Sequence, residues 1–491
     1  MKFYSTRDKN ICVSGAEAIA LGLAPGGGLF VPECFPAYAP DAAKDYPQLA
    51  RDIFGLYLDE FSADEIAEIV RRSYQVGNFP ADPAPLASVA GVEVLELWHG
   101  PTAAFKDMAL QALPHLLSAS RIKAGHDKDT VILVATSGDT GKAALAGFAG
   151  VEGTQIIVFY PLGGVSRMQE LQMLTTDADN AFVVGVRGNF DDCQRAVKTI
   201  FNDAAFRTRL ADGGKEFSSA NSINFGRLMP QIVYYYHAYN QLLRAGKIKM
   251  GDKVDIAVPS GNFGNILAAC YAGKMGLPVR RLVCASNENR VLTDVIASGR
   301  YDRRRDFFTT ASPSMDILVS SNFERYVYHL LDGDTAAVAE LYAKLDAEGV
   351  FELPAAAIAK MKEQLWGGCA PWDEVAEAID SVYAAEHYVM DPHTAVGYAV
   401  CKQYQATFGV DATPLILAST ASPYKFPAAV LGALGEDVAA IAELEQGSAL
   451  AELTAGEVHY ALRGLDQLPI CQDLTADKSE LAEKVADILH V

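Results

Sequence analysis

The stretch from Val254 to Lys274, V-D-I-A-V-P-S-G-N-F-G-N-I-L-A-A-C-Y-A-G-K, joins a short apolar run, a glycine-containing loop and a helical segment. A buried strand followed at once by a loop and a helix is typical of a parallel α/β sheet. The loop offers backbone N–H groups and the positive end of a helix dipole, both of which bind phosphate. Because G-N-F-G-N does not fit the dinucleotide pattern G-x-G-x-x-G, a bound phosphate would belong to something other than NAD. A loop that only turns the chain is the alternative.

The same order of apolar strand, loop and helical segment recurs from about residue 92 onward. The apolar runs are V-E-V-L-E-L-W, V-I-L-V-A-T, Q-I-I-V-F-Y, A-F-V-V-G-V, V-D-I-A-V-P, R-L-V-C-A-S and P-L-I-L-A-S. Four of them end in loops of small residues, namely those after 131–135, 156–159, 254–258 and 415–418. Open α/β sheets bind ligands at the carboxyl ends of their strands, so these loops are the expected site.

Composition excludes several classes of partner. The chain has 491 residues, a formal net charge of -20 and a pI near 4.9, which argues against a nucleic-acid or anionic-membrane surface. No apolar run reaches the roughly 18 residues that span a bilayer, and the start lacks a signal-peptide apolar core. The expectation is a soluble, cytoplasmic protein. The eight cysteines form no C-x-x-C pair, and no metal site is expected.

The loop from Ala135 to Ala143 invites comparison with a nucleotide-binding P-loop. The spacing fails, because Gly138 lies only three residues before Gly141 and Ala143 stands where a magnesium-binding hydroxyl is required. The loop does carry a run of hydroxyl and carboxyl groups before an alanine-rich helix, which suits a carboxylate or phosphate ligand. A well-capped helix start is the alternative.

Lys106 occupies an unusual position in H-G-P-T-A-A-F-K-D-M-A-L-Q, from His99 to Gln111, where a loop becomes a helix. The positive end of a helix disfavours a cation, so a lysine there, or in a dry pocket, loses affinity for its proton and becomes a nucleophile able to form a Schiff base. The alternative is a surface lysine beside Asp107.

Nine motifs in order resemble the threonine synthases, pyridoxal-phosphate enzymes of the tryptophan-synthase-β fold type, in their longer bacterial and fungal class. The motifs are Y-S-T-R, G-L-A-P-G-G-G-L-F-V-P-E, H-G-P-T-A-A-F-K-D, A-T-S-G-D-T-G, S-A-N-S-I-N-F-G-R, V-P-S-G-N-F-G-N, S-M-D-I, D-P-H-T-A-V-G-Y and the K-F-P near 425. The resemblance covers nearly the whole chain. It departs at Ser422, where the family often has a histidine, and this leaves the role of Lys425 open.

The resemblance implies a fold of two open, mostly parallel sheets wrapped by helices. It also implies a mostly helical N-terminal region (1–95), a smaller mobile α/β domain with the cofactor lysine and the substrate loop (96–220), and a larger α/β domain with the cofactor phosphate loop (221–491). A helical insertion is expected at about 300–390. We expect a monomer or a homodimer.

The resemblance also assigns residues to roles. Lys106 would form the Schiff base with pyridoxal 5'-phosphate, Asp139 would lie near the 3-hydroxyl of the cofactor, and Thr420 would face its ring nitrogen. The cofactor phosphate would be held by Gly261, Asn262, Phe263, Gly264 and Asn265. The substrate would be bound by Ser137, Thr140, Lys142, Asn221 and Arg227.

The reaction implied by the resemblance converts O-phospho-L-homoserine and water into L-threonine and phosphate. The nearest alternatives are a phospho-lyase that releases 2-oxobutyrate and a serine/threonine dehydratase. The long N-terminal region and S-A-N-S-I-N-F-G-R disfavour the dehydratase. An interaction protein without a cofactor is disfavoured because Lys106, the glycine loop and Thr420 all remain.

Overall fold

The structure is a computed structural model that describes residues 1–136 and 138–491. Its described part contains a mostly parallel six-stranded sheet, a parallel five-stranded sheet, two small antiparallel sheets and helices that cover them. The strands are β1 (Lys2–Ser5), β2 (Cys12–Ser14), β3 (Phe30–Pro32), β4 (Leu86–Val89), β5 (Val92–Glu96), β6 (Asp129–Ala135), β7 (Thr154–Pro161), β8 (Ala181–Arg187), β9 (Lys215–Ser218), β10 (Val254–Pro259), β11 (Val279–Ser286), β12 (Arg300–Asp302), β13 (Val350–Glu352), β14 (Leu365–Cys369), β15 (Leu415–Ser419) and β16 (Leu474–Asp477).

The helices surround the sheets. They are α1 (Gly15–Leu21), α2 (Tyr46–Tyr57), α3 (Ala63–Tyr74), α4 (Asp107–Leu110), α5 (Leu113–Lys123), α6 (Asp139–Phe148), α7 (Arg167–Leu174), α8 (Phe190–Asn202), α9 (Ala204–Asp212), α10 (Phe225–Arg244), α11 (Gly264–Met275), α12 (Val291–Ser298), α13 (Phe323–Leu330), α14 (Thr335–Glu348), α15 (Ala355–Gln364), α16 (Trp372–Glu386), α17 (Pro392–Phe408), α18 (Pro427–Ala433), α19 (Gln446–Thr454) and α20 (Leu481–Leu489).

The larger sheet has the strand order β14-β11-β10-β15-β5-β4, in which every pair is parallel except β4 with β5. All residues of β10 and β15 are buried, as expected for parallel strands covered on both faces. The smaller sheet, β16-β8-β7-β6-β9, is parallel throughout. The seven apolar runs all form strands of these two sheets, so the predicted strands are confirmed.

The N-terminal region contains the antiparallel sheet β2-β1-β3 beside α1, α2 and α3. Its strands have only three or four residues, too few for an alternating pattern to be recognised in the sequence. Helices α2 and α3 each begin with a capping box, formed by Asp45 with Gln48 and by Ser62 with Glu65.

The structure places two strands differently from the predicted domain boundaries. Strand β16, near the C-terminus, pairs with β8 of the smaller sheet, although residues 221–491 were assigned to the larger domain. Strand β14, inside the predicted helical insertion, is the edge strand of the larger sheet. The glycines of L-W-G-G-C weaken the strand pattern of β14, and tertiary pairing compensates for them. In the part of the chain that the structure describes, no helix combines the length and apolar character needed to cross a membrane.

Candidate active site

Lys106 is buried next to an anionic group. Its side chain, which follows the loop from His99 to Phe105, belongs to a residue that is 9% exposed. The amine Nζ donates a hydrogen bond to Oγ of Ser314 at 3.1 Å and lies 3.6 Å from Oδ2 of Asp139. Burial lowers the pKa of Lys106, Asp139 opposes this effect, and the nearby cations Lys425 and Arg227 add to it. The amine is therefore biased towards its neutral, nucleophilic form.

The physical cause of this shift differs from the one the sequence suggested. Lys106 does stand directly before a helix, but α4 has only four residues, which is too short to develop a substantial dipole. Burial of the amine, together with the nearby cations, lowers the pKa of Lys106 instead.

Asp139 has a permanent counter-ion in Lys425. Nζ of Lys425 lies 3.0 Å from Oδ1 of Asp139, and the Lys425 side chain is fully buried. Gln169 donates to the same carboxylate oxygen at 3.2 Å. Burial raises the pKa of Asp139, but Lys425 and Lys106 together hold it well below its usual range. The carboxylate is thus ionised, and Lys106 is its second, more distant cation.

Ser314 is held by a histidine and aspartate pair. His393 accepts a hydrogen bond from the backbone N–H of Ser314 at Nε2, 3.2 Å away, and its Nδ1 lies 2.7 Å from Oδ1 of Asp391. Accepting at Nε2 requires the proton to be on Nδ1, so the ring is neutral and donates to Asp391. Because the backbone N–H of Ser314 makes the contact with His393, this is not the arrangement that activates a serine hydroxyl for hydrolysis.

The loop before Lys106 is fastened to the loop after β15. Phe105 N–H donates to the carbonyl of Thr420 at 2.8 Å, and Ser422 N–H donates to the carbonyl of Ala103 at 3.0 Å. Lys425 donates to the carbonyl of Thr102 at 2.7 Å. Ala103 is buried with φ at 57°, a left-handed conformation that is strained for alanine. Strain of this kind is tolerated where surrounding contacts determine the backbone.

The glycine loop after β10 has the features of an anion site. Within the described residues, no acceptor is recorded for the backbone N–H groups from Gly261 to Ile266. Phe263 has φ at 60°, so this loop also holds a strained non-glycine residue. A Cβ on Gly261 would lie 2.6 Å from the carbonyl oxygen of Ser314, which explains why glycine is required there. The glycine loop therefore packs against the residue that binds Lys106.

Asn265 adds a side-chain donor to this loop. Its Oδ1 accepts hydrogen bonds from the hydroxyl groups of Tyr234 and Tyr235, at 2.7 Å and 2.5 Å. Its Nδ2 is buried and has no recorded partner among the described residues. A buried amide donor without an acceptor is costly, and an anionic ligand would satisfy it.

Arg227 is a buried cation without a carboxylate partner among the described residues. It is 5% exposed, Nη1 donates to the carbonyl of Ala220 at 2.8 Å, and Nε is buried without a recorded partner. Burial lowers the pKa of Arg227 to about 10. Buried charges in proteins are normally paired, so this guanidinium suits an anionic ligand.

The charges around Lys106 do not balance. Among the described residues, the pKa shifts at this site connect four cations, Lys106, Lys142, Lys425 and Arg227, with two carboxylates, Asp107 and Asp139. Burial raises the pKa of Asp107 to about 6 and lowers that of Lys142 to about 8. The site is electropositive inside a strongly acidic protein, which suits phosphorylated ligands.

The remaining predicted residues are placed less centrally. Asn221 is exposed, and its Oδ1 accepts from Ser222 and from the backbone of Ile223 within the same turn. Lys142 donates to Oγ1 of Thr176 at 3.2 Å. Thr140 is partly buried near the start of α6, and Ser137 lies outside the described residues. The structure thus brings Lys106, Asp139, Thr420 and the glycine loop together, and leaves the side chain of Asn221 in local contacts.

Sequence reasoning missed four residues of this site. These are Ser314, His393, Lys425 and Gln169. The first two stand in S-M-D-I and D-P-H-T-A-V-G-Y, which were noted only as motifs, and Lys425 was left open because of Ser422. Ser314, His393 and Lys425 are polar residues of motifs far along the chain, and this could have marked them as candidates. Nothing in the sequence singled out Gln169.

Three family profiles match the chain in order. They are described as "Threonine synthase N terminus" (residues 2–74), "Pyridoxal-phosphate dependent enzyme" (73–364) and "Threonine synthase, C-terminal" (394–461). The threonine synthase of Schizosaccharomyces pombe is 38% identical, and the match covers 88% of each chain. Threonine synthase-like 1 of Homo sapiens is 36% identical over 96% of this chain, but the match spans only 63% of that protein's length.

Solved structures agree with the sequence relatives. The PLP-bound threonine synthase from Brucella melitensis superposes with a TM-score of 0.87 at 33% identity and covers both chains fully. The threonine synthase from yeast gives a TM-score of 0.88 at 32% identity and covers 100% of this chain and 98% of that one. These matches confirm the predicted tryptophan-synthase-β-like fold.

The residues of the site fit pyridoxal phosphate. A buried lysine with a lowered pKa can bond to the aldehyde, and the unpaired backbone N–H groups of the glycine loop, with the amide of Asn265, can hold the phosphate. The cofactor of the matched family is pyridoxal phosphate, and the donor groups present here are those it requires. This chain belongs to the threonine synthase family of pyridoxal-phosphate-dependent enzymes.

Proposed function

We propose that the chain is a threonine synthase, which converts O-phospho-L-homoserine and water into L-threonine and phosphate. The observation that carries this proposal is the pairing of a neutral-biased Lys106 with Arg227, a buried guanidinium that has no carboxylate partner among the described residues. The first group suits proton transfer, and the second suits a phosphate group. A substrate that carries both an amine and a phosphate would use both.

Pyridoxal phosphate, when bound, takes up the electrons released as protons leave a substrate carbon. Lys106 would attach it, the backbone N–H groups of residues 261–266 and Nδ2 of Asn265 would hold its phosphate, and Thr420 would face its ring nitrogen. Thr420 is 6% exposed, and its carbonyl is fixed by Phe105, the residue next to the lysine.

Lys106 would serve as the proton carrier of the reaction. A neutral amine can accept a proton from Cα of the substrate and return it elsewhere on the same molecule. Its lowered pKa favours the neutral form, which can accept a proton, and so suits a catalytic base.

Arg227 would bind the substrate phosphate and stabilise it as a leaving group. A guanidinium binds phosphate through two parallel N–H groups, and Nε of Arg227 has no recorded partner among the described residues. Lys142, whose pKa is lowered to about 8, and Thr140 would add to this anion site from α6. Asn221 and Ser137 stay proposals as substrate-binding residues.

We further propose that the smaller α/β unit, predicted as residues 96–220, closes on the substrate. The start of α6 carries Asp139, Thr140 and Lys142, and Gly138 and Gly141 donate their N–H groups to Oγ1 of Thr136. Closure would exclude bulk water and make threonine rather than 2-oxobutyrate the product.

A phospho-lyase that releases 2-oxobutyrate is the second candidate. This candidate stays beside the first because the relatives named threonine synthase-like 1, of whose length this chain spans less than two thirds, bear a name that states no reaction. It would need the same lysine and phosphate site and would differ only in how water is admitted.

The test combines trapping with product analysis. Borohydride reduction of the purified protein with pyridoxal phosphate, followed by peptide mapping, should place the pyridoxyl group on Lys106, and Lys106→Ala should lose the label and turnover but keep its fold. Labelling of Lys142 would refute the assignment. Incubation with O-phospho-L-homoserine should then yield threonine, and a product of 2-oxobutyrate alone would replace threonine synthase by phospho-lyase.

A further inference from the structure

Ser314 is the side chain that lies between the reactive lysine and the carboxylate. Its hydroxyl accepts from Nζ of Lys106 at 3.1 Å and donates to Oδ2 of Asp139 at 3.2 Å. The Lys106 amine and that carboxylate oxygen are themselves 3.6 Å apart. One hydroxyl therefore uses its donor and its acceptor to bridge the lysine amine and the carboxylate.

Lys425 occupies the other oxygen of the same carboxylate. Its Nζ lies 3.0 Å from Oδ1 of Asp139, which is closer than Lys106 lies to Oδ2. Both oxygens of Asp139 thus have donors other than Lys106, namely Lys425 with Gln169 on one and Ser314 on the other.

Ser314 is also anchored independently of Lys106. Its backbone N–H donates to His393, and its carbonyl oxygen would lie 2.6 Å from a Cβ on Gly261. The 3-10 turn Pro313–Met315 therefore contacts His393 of α17 on one side and Gly261 of the glycine loop on the other. The hydroxyl group is therefore placed by backbone contacts that do not involve Lys106.

We propose that Ser314 is a positioning residue for Lys106: its hydroxyl holds the lysine amine and, together with Lys425, occupies the Asp139 carboxylate, so that Lys106 forms no close ion pair with it. This rests on the proposed role of Lys106 in cofactor attachment. A close ion pair would stabilise the ammonium form and remove the nucleophile. Ser314 thereby keeps an amine reactive beside a carboxylate.

The charged and titratable groups around Lys106 come from four elements. Asp139 on α6 favours its protonated form, whereas Lys425 after β15 and Arg227 on α10 disfavour it. His393 on α17 is neutral in this arrangement and contacts the backbone N–H of Ser314. Removing the Ser314 hydroxyl changes none of these charges and alters only how closely Lys106 approaches Asp139.

The experiment measures cofactor attachment as a function of pH. The full-length protein is freed of cofactor and mixed with pyridoxal phosphate between pH 6 and pH 10. The rise of the lysine-bound cofactor absorbance gives the rate, and borohydride trapping gives the site. In Ser314→Ala we expect attachment to slow about tenfold near pH 7.5, because a raised pKa of Lys106 lowers the fraction of neutral amine. The difference should shrink as the pH rises, because the amine then becomes neutral in both proteins.

Three variants make the outcome specific. Ser314→Thr retains a hydroxyl and should restore the wild-type pH profile. Ser312→Ala removes another buried hydroxyl of the same segment, one that bonds to Asn287 and not to Lys106, and should leave the profile unchanged. Lys425→Met should shift the profile in the same direction as Ser314→Ala, because it removes the closer cation from Asp139 and lets Lys106 pair with the carboxylate.

The outcomes separate this proposal from the proposed function. Thermal unfolding of each apo variant checks that it is folded. An unshifted profile in Ser314→Ala, a slowing that is equal at all pH values, or an identical shift in Ser312→Ala would overturn the positioning role. Attachment that persists in Lys106→Ala would instead overturn the assignment of Lys106, on which the proposed function stands.

Discussion

Replacing Arg227 by lysine tests the proposed phosphate site most directly. The substitution keeps a cation but removes the planar fork and Nε, the donor that has no recorded partner among the described residues. Loss of one charged hydrogen bond costs about 1.5–3 kcal/mol, which corresponds to a roughly 10- to 150-fold weaker affinity for a phosphorylated substrate. Cofactor affinity should change much less.

The same substitution should introduce a pH dependence. Burial lowers the pKa of Arg227 to about 10, from an ordinary value of 12.5. Burial would lower the pKa of a lysine at this position as well, from an ordinary value that is already below that of arginine. A cation with a lowered pKa loses its charge as pH rises, so the affinity of the variant should fall with pH more steeply than that of wild type, in which Lys142 of the proposed anion site titrates but Arg227 keeps its charge. The substrate phosphate is already dianionic above about pH 8 and contributes no change.

The assay is calorimetric titration with a non-reactive phosphohomoserine analogue at pH 7, 8 and 9, with pyridoxal phosphate affinity measured in parallel. Arg325→Lys is the matched control. Arg325 is equally buried, with a pKa lowered to about 10, but it donates to Phe30, Asn322 and Ile223. Its replacement should reduce thermal stability and leave analogue binding without the added pH dependence. Equal losses of cofactor and analogue affinity in Arg227→Lys would mean that Arg227 is structural.

Three further outcomes are expected. Gly261→Ala should destabilise the protein by about 1–3 kcal/mol and weaken cofactor binding, because the added Cβ would meet the backbone of the adjacent turn. Gly273→Ala in α11 is the control and should be tolerated, because its Cβ would meet nothing nearer than 3.7 Å. Denaturant unfolding that does not distinguish the two variants would contradict this prediction. Thr140→Val should raise the 2-oxobutyrate to threonine ratio, and an unchanged ratio would reduce the α6 loop to a simple anion site. Glu324 forms an ion pair with Arg7, so Glu324→Ala should lower the free energy of unfolding by about 2 kcal/mol because it leaves Arg7 partly buried and unpaired. Chemical denaturation measures this change. An unchanged free energy of unfolding would show that the ion pair does not stabilise the N-terminal sheet.

Much of the fold followed from local patterns. Parallel strands buried on both faces appear as short apolar runs, and all seven such runs form strands. The strands that escaped prediction are β1 to β4, β9, β12 to β14 and β16. They are short, interrupted by glycine, or paired with a partner hundreds of residues away, so their stability comes from contacts that no local pattern reports.

The candidate site followed in part from the sequence. Lys106, the glycine loop and the missing dinucleotide pattern were evident, because a reactive amine and a phosphate loop depend on residues that are adjacent in the chain. Lys425 and Ser314 were not, since they meet Asp139 from positions 286 and 175 residues away. Only the close approach of three loops creates their contacts.

The sequence by itself determined which kinds of chemistry the chain could carry: an amine at a loop end, a phosphate loop without nucleotide spacing, and an order of motifs that matched one family. The tertiary structure alone decided the ionic state of the site. The pKa of Lys106 depends on burial and on the distances to Asp139, Lys425 and Arg227, which lie on separate elements. Electrostatic interactions act through space, so their balance at the lysine is set by the packing of the two sheets and their loops.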